Sequence, residues 1–217
     1  MQNFKIIIIN YLATHNIPKR YFIVNKPYNM VSQFKSTHQV PLLGDIDFDF
    51  PEGTHAIGRL DSTSEGLLIL TTDKTVTRKL FLATEPHPRS YLVMVQNNMS
   101  AATIAHLQNG VAIPIKNGAL YIAKPISAFV VENPCSYYPY ANDHRNQYPH
   151  TWLLITLTEG KFRQVRKMVQ ALRHRCLRLV RLNICNIYLG DLAPGAVREL
   201  DEKTFYDLLV PPQKNTE

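Results

Sequence analysis

An α+β fold on a mixed, mostly antiparallel sheet flanked by helices is what this sequence predicts, on three observations. Strand-like and helix-like segments are interspersed without a regular βαβ alternation. No glycine-rich phosphate loop follows any strand. With 217 residues and a hydrophobic fraction of 45%, the chain can bury a genuine core, as one large domain or two small lobes sharing an interface.

Residues 1–20 read as an N-terminal extension. Tyr21 to Val24 is a strand, and Pro27 in Asn25-Lys-Pro-Tyr28 forces an extended or turned backbone. Gly44 to Pro51 alternates apolar residues with three aspartates. Phe50 and Ala56 stand where a calcium loop needs its Gly and Glu, so the reading is the solvated face of a short edge segment. His55 to Asp61 is extended, Ser62 to Gly66 is a polar turn, and Leu67 to Thr71 is a buried strand. Thr75 to Ala83 has helical character. In the strand Tyr91 to Val95, Tyr91, Val93 and Val95 share one face. Ser100 caps a helix to about Leu107, ended by Asn109-Gly110.

Strand-like pieces follow near 110–115 and 120–131. Residues 132–150, with three prolines and four tyrosines, lack apolar periodicity and read as a long surface loop. Trp152 to Leu157 resumes as a strand. A helix from Arg163 to about Arg173 follows, then strands at Leu177–Val180 and Ile184–Leu189, a turn at Gly190–Gly195, a helix near Lys203–Leu209, and a tail at 211–217.

The net charge of +7 favours an anionic partner, with nucleic acid first. Three cysteines with no CxxC pair argue against a disulfide framework and a structural zinc site, and no metal is expected. The Ile6–Ile9 run is too short for a secretion signal and no apolar stretch is long enough to span a bilayer, so a soluble cytoplasmic protein is expected, without membrane contact. Lys161 to Arg181 holds eight of the 24 basic residues and no acidic one. Val165, Met168, Val169 and Leu172 form one helical stripe, Arg163, Lys167 and Gln170 point away, and Arg166 and Arg173 lie on the border. Such a run is either a solvated helix face or a polyanion surface, and its single sign favours the polyanion.

Asp61 closes an extended segment before a polar turn, where a carboxylate can be presented to a cleft. Taken alone, an Asp there is more often a turn-former. Ala56-Ile-Gly-Arg-Leu-Asp-Ser-Thr-Ser-Glu-Gly-Leu-Leu-Ile-Leu-Thr-Thr-Asp73 resembles the central motif of pseudouridine synthases of the RsuA-like branch. Glu159-Gly-Lys-Phe-Arg-Gln-Val-Arg-Lys-Met168 resembles that branch's second signature. Leu177 to Arg181 and Gly190 to Leu200 continue it in order, and Asn25-Lys-Pro-Tyr28 with Gln33-Phe34 resembles members that modify large-subunit (23S) rRNA. The resemblance covers roughly residues 20–201.

The resemblance implies a catalytic domain at 21–210 with a cleft between two lobes, turning a specific uridine of 23S rRNA into pseudouridine by base flipping, without cofactor. It makes Asp61 the catalytic aspartate, Tyr91 the tyrosine packed on the target base, and Arg166 the partner of the Asp61 carboxylate. Arg59, Lys26, Lys161, Arg163, Lys167 and Arg173 become the RNA contacts of a monomer. Asn29, Arg89 and Phe162 depart from the common Gly, Lys and Asn, and none removes a proposed catalytic group. The branch often carries an N-terminal S4-type RNA-binding domain. Fewer than 25 residues precede Asn25 here, so RNA grip is expected from the catalytic domain, chiefly 161–181. A different reading is a ribosome-assembly factor that binds RNA without the chemistry; retention of Asp61, Tyr91 and Arg166 argues against it.

Overall fold

The computed structural model describes residues 18–82, 87–142, 147 and 149–210. In chain order the strands and helices are β1 (Tyr21–Lys26), β2 (His55–Ile57), β3 (Glu65–Thr71), α1 (Thr75–Leu82), β4 (Arg89–Gln96), α2 (Ala101–Asn109), β5 (Val111–Pro114), β6 (Leu120–Ala123), β7 (Ser127–Val130), β8 (His150–Leu157), α3 (Gln164–Ala171), β9 (Cys176–Ile184), β10 (Ile187–Tyr188), β11 (Val197–Leu200) and α4 (Glu202–Leu209). Among the described residues, nine strands form one sheet in the order β11-β1-β3-β9-β4-β8-β7, with β2 on β3 and β10 on β9. Every pairing is antiparallel except β3 with β9, so the sheet is mixed and mostly antiparallel, as expected. β5 and β6 make a separate hairpin. No described helix is long and apolar enough to cross a membrane.

Alternation along the strands sorts the core. Tyr21 and Ile23 join Leu67, Ile69, Leu92 and Phe205 in one cluster, while Phe22 and Val24 face the opposite way with Leu68 and Leu70. Tyr91, Val93 and Val95 turn together onto Val165, Met168 and Val169 of α3. Both sheet faces are therefore covered around β3, β9 and β4, and these buried strands carry or flank the residues of interest.

Several expectations change. The two strands expected at Leu177–Val180 and Ile184–Leu189 are one continuous β9 followed by the short β10, and β11 adds an edge strand where none was anticipated. Residues 44–51 form no strand. A short 3-10 turn at Leu43–Asp45 leads into a segment whose Ile46, Phe48 and Phe50 turn inward while Asp45, Asp47 and Asp49 face water. Asn29 adopts a φ of 65°, a left-handed conformation that Asn tolerates better than most side chains and that accounts for Gly being common there.

The loop at 132–150 is less free than its composition suggested. Tyr138 is fully buried, with the Arg178 guanidinium over its ring and its hydroxyl accepting from Asn25. Arg178 also donates to the carbonyls of Tyr140 (2.9 Å) and Ala141 (2.6 Å) and forms a two-pronged ion pair with Glu65 (2.9 and 2.7 Å). Residues 143–146 and 148 lie outside the described residues, as do residue 83 of the expected helix, residues 1–17 of the extension and the 211–217 tail.

Candidate active site

Asp61 stands in the turn between β2 and β3. The Ser64 amide donates to its carbonyl (2.9 Å), closing the turn. Ser32 brackets the preceding residue, its hydroxyl accepting from the Leu60 amide (3.0 Å) and donating to the Leu60 carbonyl (2.9 Å). Arg166 reaches from α3 to donate through Nη2 to Thr63 O (2.8 Å) and Ser64 Oγ (3.3 Å). A turn closed on itself and held by the Ser32 segment and by α3 presents its carboxylate with little conformational freedom.

The Asp61 carboxylate is 25% exposed, with Arg163 Nη1 at 3.5 Å and Arg166 Nε at 3.9 Å. The Arg166 Nε is buried and makes no hydrogen bond, so at 3.9 Å it supplies charge and can close further once a substrate excludes water. The other carboxylate in this wall, Glu159, is already committed: it accepts from the Tyr121 hydroxyl and from Gln164 Nε2. Asp61 thus keeps its oxygens for an incoming group.

The turn opens on a cavity of about 880 Å³, lined among others by Arg59, Asp61, Arg89, Tyr91, Arg163 and Arg181. Two guanidinia beside the carboxylate fix its direction toward the cavity. A second cavity of about 550 Å³ shares Lys161 and Phe162 with the first and adds Lys116 and Lys167. Phe162 is 75% exposed, with Lys167 Nζ 5.5 Å from its ring centre.

The structure gathers Asp61, Tyr91, Arg59, Lys161 and Arg163 at the first cavity and holds Arg166 directly behind Asp61. Lys167 lies at the second cavity. Arg173 is exposed at a left-handed φ of 63° beyond the end of α3 and lines neither.

Lys26, expected to contact RNA, is corrected. It is 0% exposed, and its Nζ donates to the carbonyls of Pro27 (2.7 Å), Met30 (2.7 Å) and Ser62 (3.3 Å). Burial pulls its pKa down to about 8, against the raising effects of Glu65 and Asp61. Its location beneath the Asp61 turn makes it a support of the site rather than a contact surface.

The basic run 161–181 is not one solvent face either: Arg178 and Arg181 are buried, the first paired with Glu65. Arg163, expected as an RNA contact, is the nearer cation to Asp61; it stands at the N-cap of α3, just before Gln164, with a left-handed backbone (φ 52°). Arg181 was not singled out at all. The signal was present, since an Arg flanked by Leu179, Val180 and Leu182 in a buried strand is a buried charge needing an explanation.

Residues 20–171 match the sequence profile of the RNA pseudouridylate synthase family. The ribosomal large subunit pseudouridine synthase E of Xanthomonas axonopodis pv. citri is 35% identical over 175 residues, covering 79% of this chain and 89% of that protein. The protein of the same name from Vibrio parahaemolyticus is 35% identical over 185 residues, covering 84% and 74%. A crystal structure of a pseudouridylate synthase superposes with a TM-score of 0.68 at 25% identity, covering 88% of this chain and 74% of that one.

Proposed function

This chain belongs to the RNA pseudouridylate synthase family, and from that premise we propose that it converts a uridine of large-subunit (23S) ribosomal RNA to pseudouridine, with Asp61 as the catalytic carboxylate. The observation that carries the reading is the Asp61 carboxylate between Arg163 and Arg166, in a cavity that Tyr91 also lines.

A duplex hides the bond between the ribose C1′ and uracil N1, so the nucleotide is extruded into the cavity at a cost of about a few kcal/mol of stacking. Tyr91 offers a π-face to the base. Asp61 acts as nucleophile at C1′ or as base at C2′, oriented by Arg163 and Arg166. The base turns and rejoins C1′ through C5. The reaction is a redox-neutral isomerisation, so its electrons balance without a cofactor.

Arg59, exposed at the rim, meets the flipped nucleotide or its neighbours, and Lys161, Lys167 and Arg173 meet phosphates. Residues 21–210 form the catalytic domain. One chain carries Asp61, Tyr91 and both arginines, which supports action as a monomer, and an rRNA substrate points to the cytoplasm. The test is release of tritium from C5-labelled rRNA. The wild type releases label, whereas an RNA-binding assembly factor without chemistry binds the same RNA and releases none.

A further inference from the structure

Arg181 sits in β9, between β3 and β4. Its backbone faces Tyr91 on one side and Gly66 on the other. The register with β4 shifts between Ser90 and Tyr91, so Leu182 is an extra residue on β9. Such a bulge re-aims the neighbouring side chains. On the β3 side, Gly66 has a φ of 96°, and a Cβ there would come within 2.4 Å of the Arg181 carbonyl oxygen. Backbone constraints on both flanks therefore fix where this side chain starts.

The guanidinium is only partly satisfied. Nε donates to Leu67 O at 2.8 Å, while Nη2 is buried with no hydrogen-bond partner. Arg181 is 5% exposed, it lines the Asp61 cavity, and no described carboxylate is ion-paired with it. Burial draws its pKa below the ordinary value, Arg89 adds to this and the Tyr91 phenol opposes it. A guanidinium nevertheless stays charged at neutral pH. A buried cation with a free donor and no counter-ion is costly, and the arrangement becomes favourable when an anion enters the cavity.

The reaction generates such an anion. When the C1′–N1 bond breaks, its electron pair leaves on N1, and the charge spreads over N1, O2 and O4 of the uracil. If Asp61 attacks, its oxygen bonds C1′ as N1 departs. If Asp61 takes the C2′ proton, a C1′–C2′ double bond forms as N1 departs. The free base is anionic in both cases. It becomes neutral again after C5 joins C1′, C5 loses its proton and N1 takes one up, while Asp61 is displaced from C1′ or returns its proton to C2′.

We propose that Arg181 is the anion subsite of this cavity, its free Nη2 N–H donating to a carbonyl oxygen of the uracil anion once the glycosidic bond has broken. The subsite rests on the pseudouridine-forming reading above. It stabilises a species that does not exist in the bound substrate, so its effect falls on the bond-breaking step rather than on RNA affinity.

The test compares two 23S rRNA transcripts, one with uridine and one made with 5-fluorouridine triphosphate in its place. The rate of consumption of the parent nucleoside is read after digestion of single-turnover reactions. Fluorine withdraws electrons and makes N1 a better leaving group, which needs less help. Arg181→Met is expected to slow the uridine transcript about 100-fold and the fluorinated one about 10-fold or less, with RNA affinity within a few-fold. Arg181→Lys, which keeps the charge and loses the fork, falls between. Equal slowing of both transcripts overturns the subsite and leaves Arg181 a support of Leu67. Should Arg181→Met fail to melt cooperatively, the ratio for Arg181→Lys decides by the same criterion. If the wild type consumes no uridine, the proposed function fails first, before any variant is compared.

Discussion

Lys26 Nζ lies 3.3 Å from the carbonyl oxygen of Ser62, the residue that follows Asp61. A lysine from β1 thus fastens the turn bearing the candidate catalytic carboxylate, and fastens Pro27 and Met30 with the same ammonium. Removing it leaves three carbonyls without a donor. Lys26→Met is expected to lower stability by about 1–3 kcal/mol in urea unfolding and to lower kcat more than it raises KM.

The same lysine makes a pH prediction. Its folded pKa of about 8 is below the 10.5 of an ordinary lysine, so between those values the unfolded chain holds a proton that the folded chain has lost. Its contribution to stability therefore rises with pH across that window, is complete above the unfolded value, and is lost as pH falls through 8. The difference in melting temperature between wild type and Lys26→Met is expected to widen from pH 8 toward pH 10. A flat difference contradicts the buried ammonium.

Asp61→Asn keeps the shape of the turn and removes the charge that Arg163 and Arg166 face. Tritium release is expected to fall roughly 10³-fold or more, with RNA affinity within several-fold. Turnover at the wild-type rate removes Asp61 from the mechanism.

Arg163 and Arg166 both face Asp61, but only Arg166 also holds Thr63 and Ser64, and it is the more buried of the two. Arg166→Met is expected to lower kcat by about two orders of magnitude. Arg163→Met, whose partner is screened by water, costs less and acts partly through KM. Equal kcat losses would mean that the hold on the turn has no part in catalysis.

Glu65 tests stability apart from chemistry. Glu65→Gln removes the carboxylate from a buried two-pronged pair with Arg178, and is expected to cost about 3–5 kcal/mol in denaturant unfolding. Arg178 also holds the 140–141 carbonyls, so proteolysis of that loop should quicken in the same variant.

The RNA surface divides by position. Lys161→Ala with Lys167→Ala removes two cations from the cavity that Phe162 shares, and is expected to reduce the log–log salt slope of RNA binding by up to about two. Arg173→Ala, beyond the end of α3, is expected to change it by less than one. An unchanged slope in the double variant places the RNA on another face.

Much of this protein was readable from residue order alone. Period-two alternation identified the face shared by Tyr91, Val93 and Val95 of β4, and the stripe Val165–Met168–Val169 identified the buried side of α3, because burial selects for periodicity and periodicity is local. Ser100 and Gly110 marked both ends of α2 through backbone chemistry that is equally local. The acid before a polar turn was visible too, although its meaning came from resemblance.

Partnership across the chain was not readable. Arg166 meets Thr63 from 103 positions away, and Arg181 meets Leu67 from 114, only because β9 inserts between β3 and β4 and α3 packs over that insertion. Whether a basic residue ends in water, beside a carboxylate or beneath the Asp61 turn depends on strand order and on the dielectric that order creates. A run of like charges in the sequence therefore resolved into separate roles in the fold: Arg178 paired with Glu65, Arg163 and Arg166 around Asp61, Lys167 half-buried beside Phe162, and Arg181 buried with a donor to spare.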